Sequence, residues 1–415
     1  PHTATLRVVV PLDASLDIDD LVRLDPTNLP PVDRVVAGWR SQLARAPRFD
    51  LPERGVEAAI DVARCHLLVQ VGADRPMRSF GVPVDGIDRA EMTMALSEQG
   101  LFIEAEHLLL SALEEQASDG SFDRDRLDAT AGWLIAAARH VAFTDSATLA
   151  VALVEPVVAA AHWLSQRQRN RLRRSRSFFS VGAGPAELTT PDRIARDARL
   201  TRRAYSAAIE LLDRAGEGDA ALAVRLHLVA LEEAMALRST SESGPGDGRR
   251  PPEPIAQFRS DLLAGEPLWT WPSVTDGHDP ARTAEFLRGA RALVVDDGGT
   301  ELDLLPGFGD LWLGQPVAVH RLPTTAGLLS FALRWHGARP ALLWDLEGDR
   351  PFALTCTSID ASWSSDERRG DALLSAPVLD HDHSPTIEDA SPGAVPVSDP
   401  RSVAQPPLDG GGSFS

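Results

Sequence analysis

The chain contains no lysine, so all 41 counted basic side chains are arginine, against 60 carboxylates and a formal net charge of −19. Non-specific nucleic-acid binding depends on cationic side chains that neutralise phosphates, and an acidic surface argues against it. Neutral or small-molecule partners fit such a surface better. Cysteine is nearly absent as well: Cys65 falls on an expected helix and Cys356 on an expected strand. Two such residues make no disulfide framework and read as small buried hydrophobes. No apolar run approaches the ~20 residues that a membrane helix needs, so no membrane partner is expected and a cytoplasmic location is. His107 and His140 stand singly on expected helices without metal-ligand spacing, and they read as surface or helix-end residues. No metal or organic cofactor is expected. Residue 1 is proline, as in a fragment or a processed chain, so targeting is not read from the N-terminus.

What is present is helical periodicity over the first two thirds. The 415 residues suffice for two or three domains. Residues 1–30 carry the strand-like Leu6–Val10 run, ended by Pro11, and then an acidic linker; they read as the remnant of a missing N-terminal domain. From Pro31, apolar residues recur at spacings of three and four, as in Leu101, Ala105, Leu108, Leu109 and Ala112 or Leu127, Ala131, Leu134, Ile135 and Ala138. The pattern predicts helices at about 32–46, 53–71, 86–99, 101–117, 125–142, 147–168, 193–215 and 217–238, with another near 280–293. Pro156 predicts either a kink or two abutting helices. The Pro/Gly/Ser-rich stretch at about 239–256 reads as a disordered insertion in a helical-hairpin domain spanning 31–292.

At residue 293 the period falls to two. Leu293–Val295, an Asp/Gly turn and Glu301–Leu305 read as a hairpin. Further strands are expected at 317–319, 328–335, 341–346 and 352–357, giving an antiparallel β-sandwich over 293–376. Residues 377–415 are rich in Pro, Asp, Ser and Gly and read as a disordered tail. The fold class expected is therefore α+β, in several domains.

Helical hairpins followed by a small sandwich resemble the six-hairpin glycosidase superfamily, and among its members uncharacterised actinobacterial proteins similar to glucoamylases and glycogen-debranching enzymes. The residues that carry the resemblance are Asp88-Arg89-Ala90; Asp119-Gly120-Ser121-Phe122 with Asp128 and His140; Glu155-Pro156 and Trp163-Leu164; Gly182–Leu188 ending at Pro191-Asp192; and the Phe331–Trp344 stretch. The resemblance implies an (α/α)6 toroid with an active site at one mouth, and α-glucan or another oligosaccharide as partner.

Glycoside hydrolysis needs one protonated carboxyl and a second carboxylate, which in inverting enzymes sits roughly 6.5–9.5 Å away. Glu187, on a Gly/Pro-shaped loop, is the candidate general acid. Asp88, Asp128 and Asp192 are candidate sugar ligands, because carboxylates accept paired hydrogen bonds from vicinal hydroxyls. Each also sits where a helix N-cap belongs, Asp192 before a helix starting near Arg193. Asp119, Asp123 and Asp125 could join the same rim, although turn and cap duties cover them.

Several features depart from the family pattern. Eight or nine helices make an incomplete, open toroid, the expected mouth is poor in aromatic residues, and no general base is evident. The run Arg167 to Arg176 reads as an exposed helix end. Trp269 and Trp271 could stack a sugar or plug an interface, and Trp335 and Trp344 read as sandwich residues. Three functions follow from the sequence: a metal-independent hydrolase acting on α-glucan-type oligosaccharides, a non-catalytic carbohydrate-binding or scaffold protein that retains the fold, and a helical protein-interaction module. The oligomeric state is not encoded in any of these features.

Overall fold

The computed structural model describes residues 30–52, 54–71, 78–79, 82–124, 126–176, 191–239, 280–299, 301–309 and 312–377; for residues 54, 78–79, 82–83, 171–176, 191–194 and 237–239 it describes the backbone alone. The described residues form ten helices: α1 Val32–Leu43, α2 Arg54–Val71, α3 Gly86–Glu98, α4 Phe102–Leu113, α5 Leu127–Thr144, α6 Ala147–Ala152, α7 Val154–Arg176, α8 Pro191–Arg214, α9 Gly218–Ser239 and α10 Pro280–Ala292.

Local chemistry sets several of their ends. Asp85 caps α3, its carboxylate accepting the Ile87 and Asp88 backbone N–H groups at 3.1 and 3.0 Å. The helix stops at Gly100 in the left-handed region (φ +69°). There Leu101 N–H bonds Leu96 O at 2.9 Å and Gly100 N–H bonds Ser97 O at 3.0 Å, the paired bonds of a Schellman ending. Pro156 does not kink a helix. It is the third residue of α7, which abuts α6 at Leu153, and in a first turn its missing N–H leaves no intrahelical bond unmade.

Four helices run side by side in one direction. Arg126 joins the starts of α3 and α5 through Asp85 and Asp128. Near their ends, Ser97 meets His140 and Glu98 meets Arg139. Arg214 at the end of α8 pairs with Asp145 after α5, and Arg288 of α10 reaches Glu98 at the end of α3. The row α10, α3, α5, α8 is thus parallel, and α2, α4, α7 and α9 pack against its members. On α4, Ala105, Leu108, Leu109 and Ala112 are buried, whereas Ile103, His107 and Leu110 face water.

Eleven strands accompany the helices: β1 Arg48–Asp50, β2 Arg78–Ser79, β3 Val82–Pro83, β4 Val295–Asp296, β5 Leu302–Leu304, β6 Val317–Thr324, β7 Gly327–His336, β8 Arg339–Glu347, β9 Leu354–Cys356, β10 Asp360–Ser365 and β11 Arg369–Leu373. They pair as a five-stranded sheet in the order β1-β6-β7-β8-β11, a four-stranded sheet in the order β10-β9-β5-β4, and the small β2-β3 pair. Trp344, with its neighbours Leu342 and Leu346 two residues either side, lies on the buried face of β8, as period two requires; Trp335 on β7 is half-buried. Mixed helix and largely antiparallel sheet make the class α+β. Sequence reading expected only antiparallel pairing, but β5 and β9 are parallel, because the β6-β7-β8 meander intervenes between them in the chain.

The change of period at 293 matches the end of α10 at Ala292 and the start of β4 at Val295. The apolar core does not stop there. One cluster joins α2, α3, α4 and α10 to both larger sheets through residues such as Leu67, Leu96, Leu287, Leu304, Phe331 and Leu354. A second cluster fills α4 to α9 around Leu134, Leu164, Tyr205 and Leu211. Both cysteines are free. Cys356 is buried as expected, whereas Cys65 is only half-buried. Burial pushes both thiols up, away from the reactive thiolate.

Candidate functional site

The parallel row places the starts of α3, α5 and α8 at one end, and these starts carry Asp88, Asp128 and Asp192 respectively. None of the three is the N-cap. Asp85 caps α3, so Asp88 belongs to its first turn; Arg126 occupies the cap position of α5, with Asp128 inside it; and α8 begins at Pro191, so Asp192 is already helical. Asp88, Asp128 and Asp192 are instead the third, second and second residues of their helices. The Asp192 side chain and all of Glu187, Asp125, Trp269 and Trp271 lie outside the described residues, as do residues 1–29, the insertion and most of the tail.

Arg126 organises what is described of this end. Its Nε and Nη2 donate to the two carboxylate oxygens of Asp128 at 3.1 and 3.0 Å, a fork-on-fork pair, while Nη1 donates to Asp85. Asp128 also accepts the Ala129 N–H at 3.0 Å. Burial alone would raise the Asp128 pKa, but hydrogen bonds and charge from Arg126 overcome it and hold the carboxyl below its ordinary value. Asp119 is likewise held down, by the Ser121 hydroxyl at 2.6 Å and the Ser121 N–H at 3.1 Å. Asp123 receives the Arg126 N–H at 3.2 Å, and Arg167 donates to the Arg124 carbonyl at 2.7 Å. Phe122, half-buried, stacks on buried Trp133 at 4.5 Å between ring centroids.

Asp85 and Arg126 were not singled out in the sequence. The signal available was the repeat of an Asp two or three residues ahead of each helical Asp or Arg, which marks a capping position as readily as a site.

At the opposite end of the row lies a buried charge cluster. Asp297, its side chain 1% exposed, accepts Arg291 at 3.1 and 2.7 Å and also bonds Arg139 and, at 3.3 Å, the Thr325 N–H. Glu98 takes Arg139 and Arg288 at 3.4 Å each, and Arg288 pairs with Glu91. Burial would raise Asp297, yet the two guanidinium groups hold it far below the carboxylate range. Three cations face three anions, and the Phe143 ring underlies Arg139 and Arg291.

His140 corrects another expectation. It lies near the end of α5, one of its two expected settings, but is fully buried and not at a surface, with Nδ1 2.9 Å from the Ser97 hydroxyl. His107 is exposed. Among the described residues no three His, Cys, Asp or Glu side chains converge as metal ligands would, and no helix is long and apolar enough to cross a membrane. No protein-family model matches the chain, and no curated protein is similar to it.

Proposed function

We infer that the chain is a carbohydrate-binding protein of the six-hairpin glycosidase type that does not hydrolyse its ligand. The single observation that carries this reading is the Asp85–Arg126–Asp128 clasp across the starts of two adjacent parallel helices. Carboxylate and guanidinium groups are the acceptors and donors that sugar hydroxyls pair with, and a neutral ligand suits a chain of charge −19. A parallel row backed by further helices is what a segment of an α/α toroid would contain, and two sheets sharing one core suit a closing β-sandwich.

The same geometry disfavours hydrolysis by the described rim. A general acid needs a raised pKa, whereas Asp119 and Asp128 are held ionised.

The test is calorimetric titration of the full chain with linear α-linked gluco-oligosaccharides, alongside measurement of reducing-end release. Binding without release is expected, and Arg126→Gln should weaken it roughly tenfold, the consequence of losing charged hydrogen bonds. Glu187→Gln should leave affinity unchanged. No binding by the wild type would end the carbohydrate reading, while release abolished by Glu187→Gln would replace it with a hydrolase using Glu187 as acid.

A further inference from the structure

A cleft of about 130 Å³ opens between α7, α8 and α9, and none of its residues belongs to the Arg126 clasp. Its inner wall is Tyr205, the chain's one tyrosine, 1% exposed. The Tyr205 hydroxyl lies close to the Ser165 side chain, and burial pushes its pKa up, so it stays a neutral donor and acceptor. The Ser165 hydroxyl also accepts Arg169 Nη2 at 3.0 Å and lies 3.4 Å from His227 Nδ1. Ala230 and Leu231 supply an apolar side.

Three features set this cleft apart. Among the described residues no carboxylate stands within ion-pairing distance of Arg169 or His227, in a chain where acids outnumber arginines 60 to 41. Arg169 spends one Nη on Ser165 and a weak 3.4 Å Nε contact on the Ser165 carbonyl, which leaves the rest of its fork available. His227 is pushed down by burial, by Arg169 and by His162, so near neutral pH it contributes a hydrogen bond and no second positive charge.

The geometry points to a binding site for a small monocarboxylate with a short apolar tail. The carboxylate takes the Arg169 fork and the hydroxyls of Ser165 and Tyr205, and the tail lies on Ala230 and Leu231. A planar two-oxygen group matches one guanidinium. A phosphate dianion would need more than Arg169, the one arginine among the described residues that line the cleft, and the cleft volume limits the tail to a few carbons. The arginine run that begins at Arg167 thus has a function at its start, in the outer helix layer, beyond ending α7.

Because Tyr205 is the only tyrosine, ring-¹³C-tyrosine labelling of the full chain gives one set of ring signals that reports on the cleft. Butyrate should shift these signals saturably, while butanol and inorganic phosphate at equal concentration should not. Arg169→Gln should weaken butyrate binding at least roughly tenfold, as expected for loss of a charged hydrogen-bond pair. Ala230→Trp, which fills the open side without touching a polar group, should abolish the shift while the far-ultraviolet circular dichroism stays that of the wild type. No shift with butyrate, an equal shift with butanol, or unchanged affinity in Arg169→Gln would overturn the assignment. A shift with phosphate alone would also overturn it.

Discussion

Asp297 shows how much a single residue's role depends on chain segments far from it. Asp296 and Asp297 precede Gly298-Gly299 as one turn signal in the sequence, yet Asp296 is exposed and closes the turn through the Gly298 N–H at 3.0 Å. Asp297 turns inward to meet Arg139, 158 positions away. His140 is similar: its expected surface position gives way to burial because Ser97, 43 residues earlier, fits against its Nδ1. Neither outcome follows from local pattern, since both partners are set by packing. Asp297→Asn keeps the volume and strands two buried guanidinium groups opposite a neutral side chain. It should cost about 3–5 kcal/mol, the penalty for breaking a buried pair from one side, read as a lowered urea midpoint at unchanged slope. A loss below about 1 kcal/mol would mean that the cluster is hydrated and not the buried tie described.

Among the elements, helices were the legible part. Apolar spacing placed them within a few residues except at the end of α7, which runs on from the expected 168 to Arg176, and the kink-or-break alternative at Pro156 resolved to a break. The strands β1, β10 and β11 escaped notice for a shared reason. They are short, they lie at sheet edges, and Asp360–Ser365 and Arg369–Leu373 are polar because one face meets water. The candidate site was legible only as a set of helix starts: Asp88 and Asp128 came from their position before apolar runs, but the clasp across those starts joins Asp128 to Asp85, not to Asp88, through Arg126, whose partner Asp85 lies 41 residues away. The Asp119-Gly120-Ser121 turn is where element and sequence agree most closely. Gly120 adopts φ +91°, and a Cβ there would stand 2.3 Å from the Ala159 carbonyl oxygen of α7. Gly120→Ala should therefore cost more than the roughly 1–2 kcal/mol of a left-handed residue alone, since the turn must also lift off α7. A thermal unfolding midpoint equal to that of the wild type would show that the turn does not pack as described.

For the molecule as a whole, what matters is that its two apolar cores meet along α3, α4 and α5: α4 gives Ala105 and Leu108 to one and Leu109 and Ala112 to the other, the small Ala90, Met94 and Ala136 cluster lies between α3 and α5, and polar bridges cross the same seam. Those bridges are Asp85–Arg126–Asp128, Ser97–His140 and Glu98–Arg139–Asp297. Three of their groups titrate with the same sign. Burial lowers His140, with Glu106 opposing it only partly, so the unfolded chain takes up that proton first. The stability His140 contributes is present above its unfolded value of about 6.5 and is lost as pH falls through the folded one. Asp128 and Asp297 are lowered by their arginines, so their contribution is present above about pH 3.9 and is lost as pH falls through their folded values. The cores themselves do not titrate. Acid should consequently loosen the seam before it dissolves either half. At pH 7, urea should expose the single tyrosine of the α4–α9 core and the Cys356 thiol of the sheet core in one shared transition; near pH 4 the two midpoints should separate. Ring-¹³C-tyrosine signals and Cys356 labelling in a Cys65→Ser background measure the two sides independently. His140→Gln, which cannot take up a proton, should remove the part of the separation that develops between pH 7 and 5. Coincident midpoints at every pH would mean that the two cores are joined by apolar packing and that the polar bridges do not couple them.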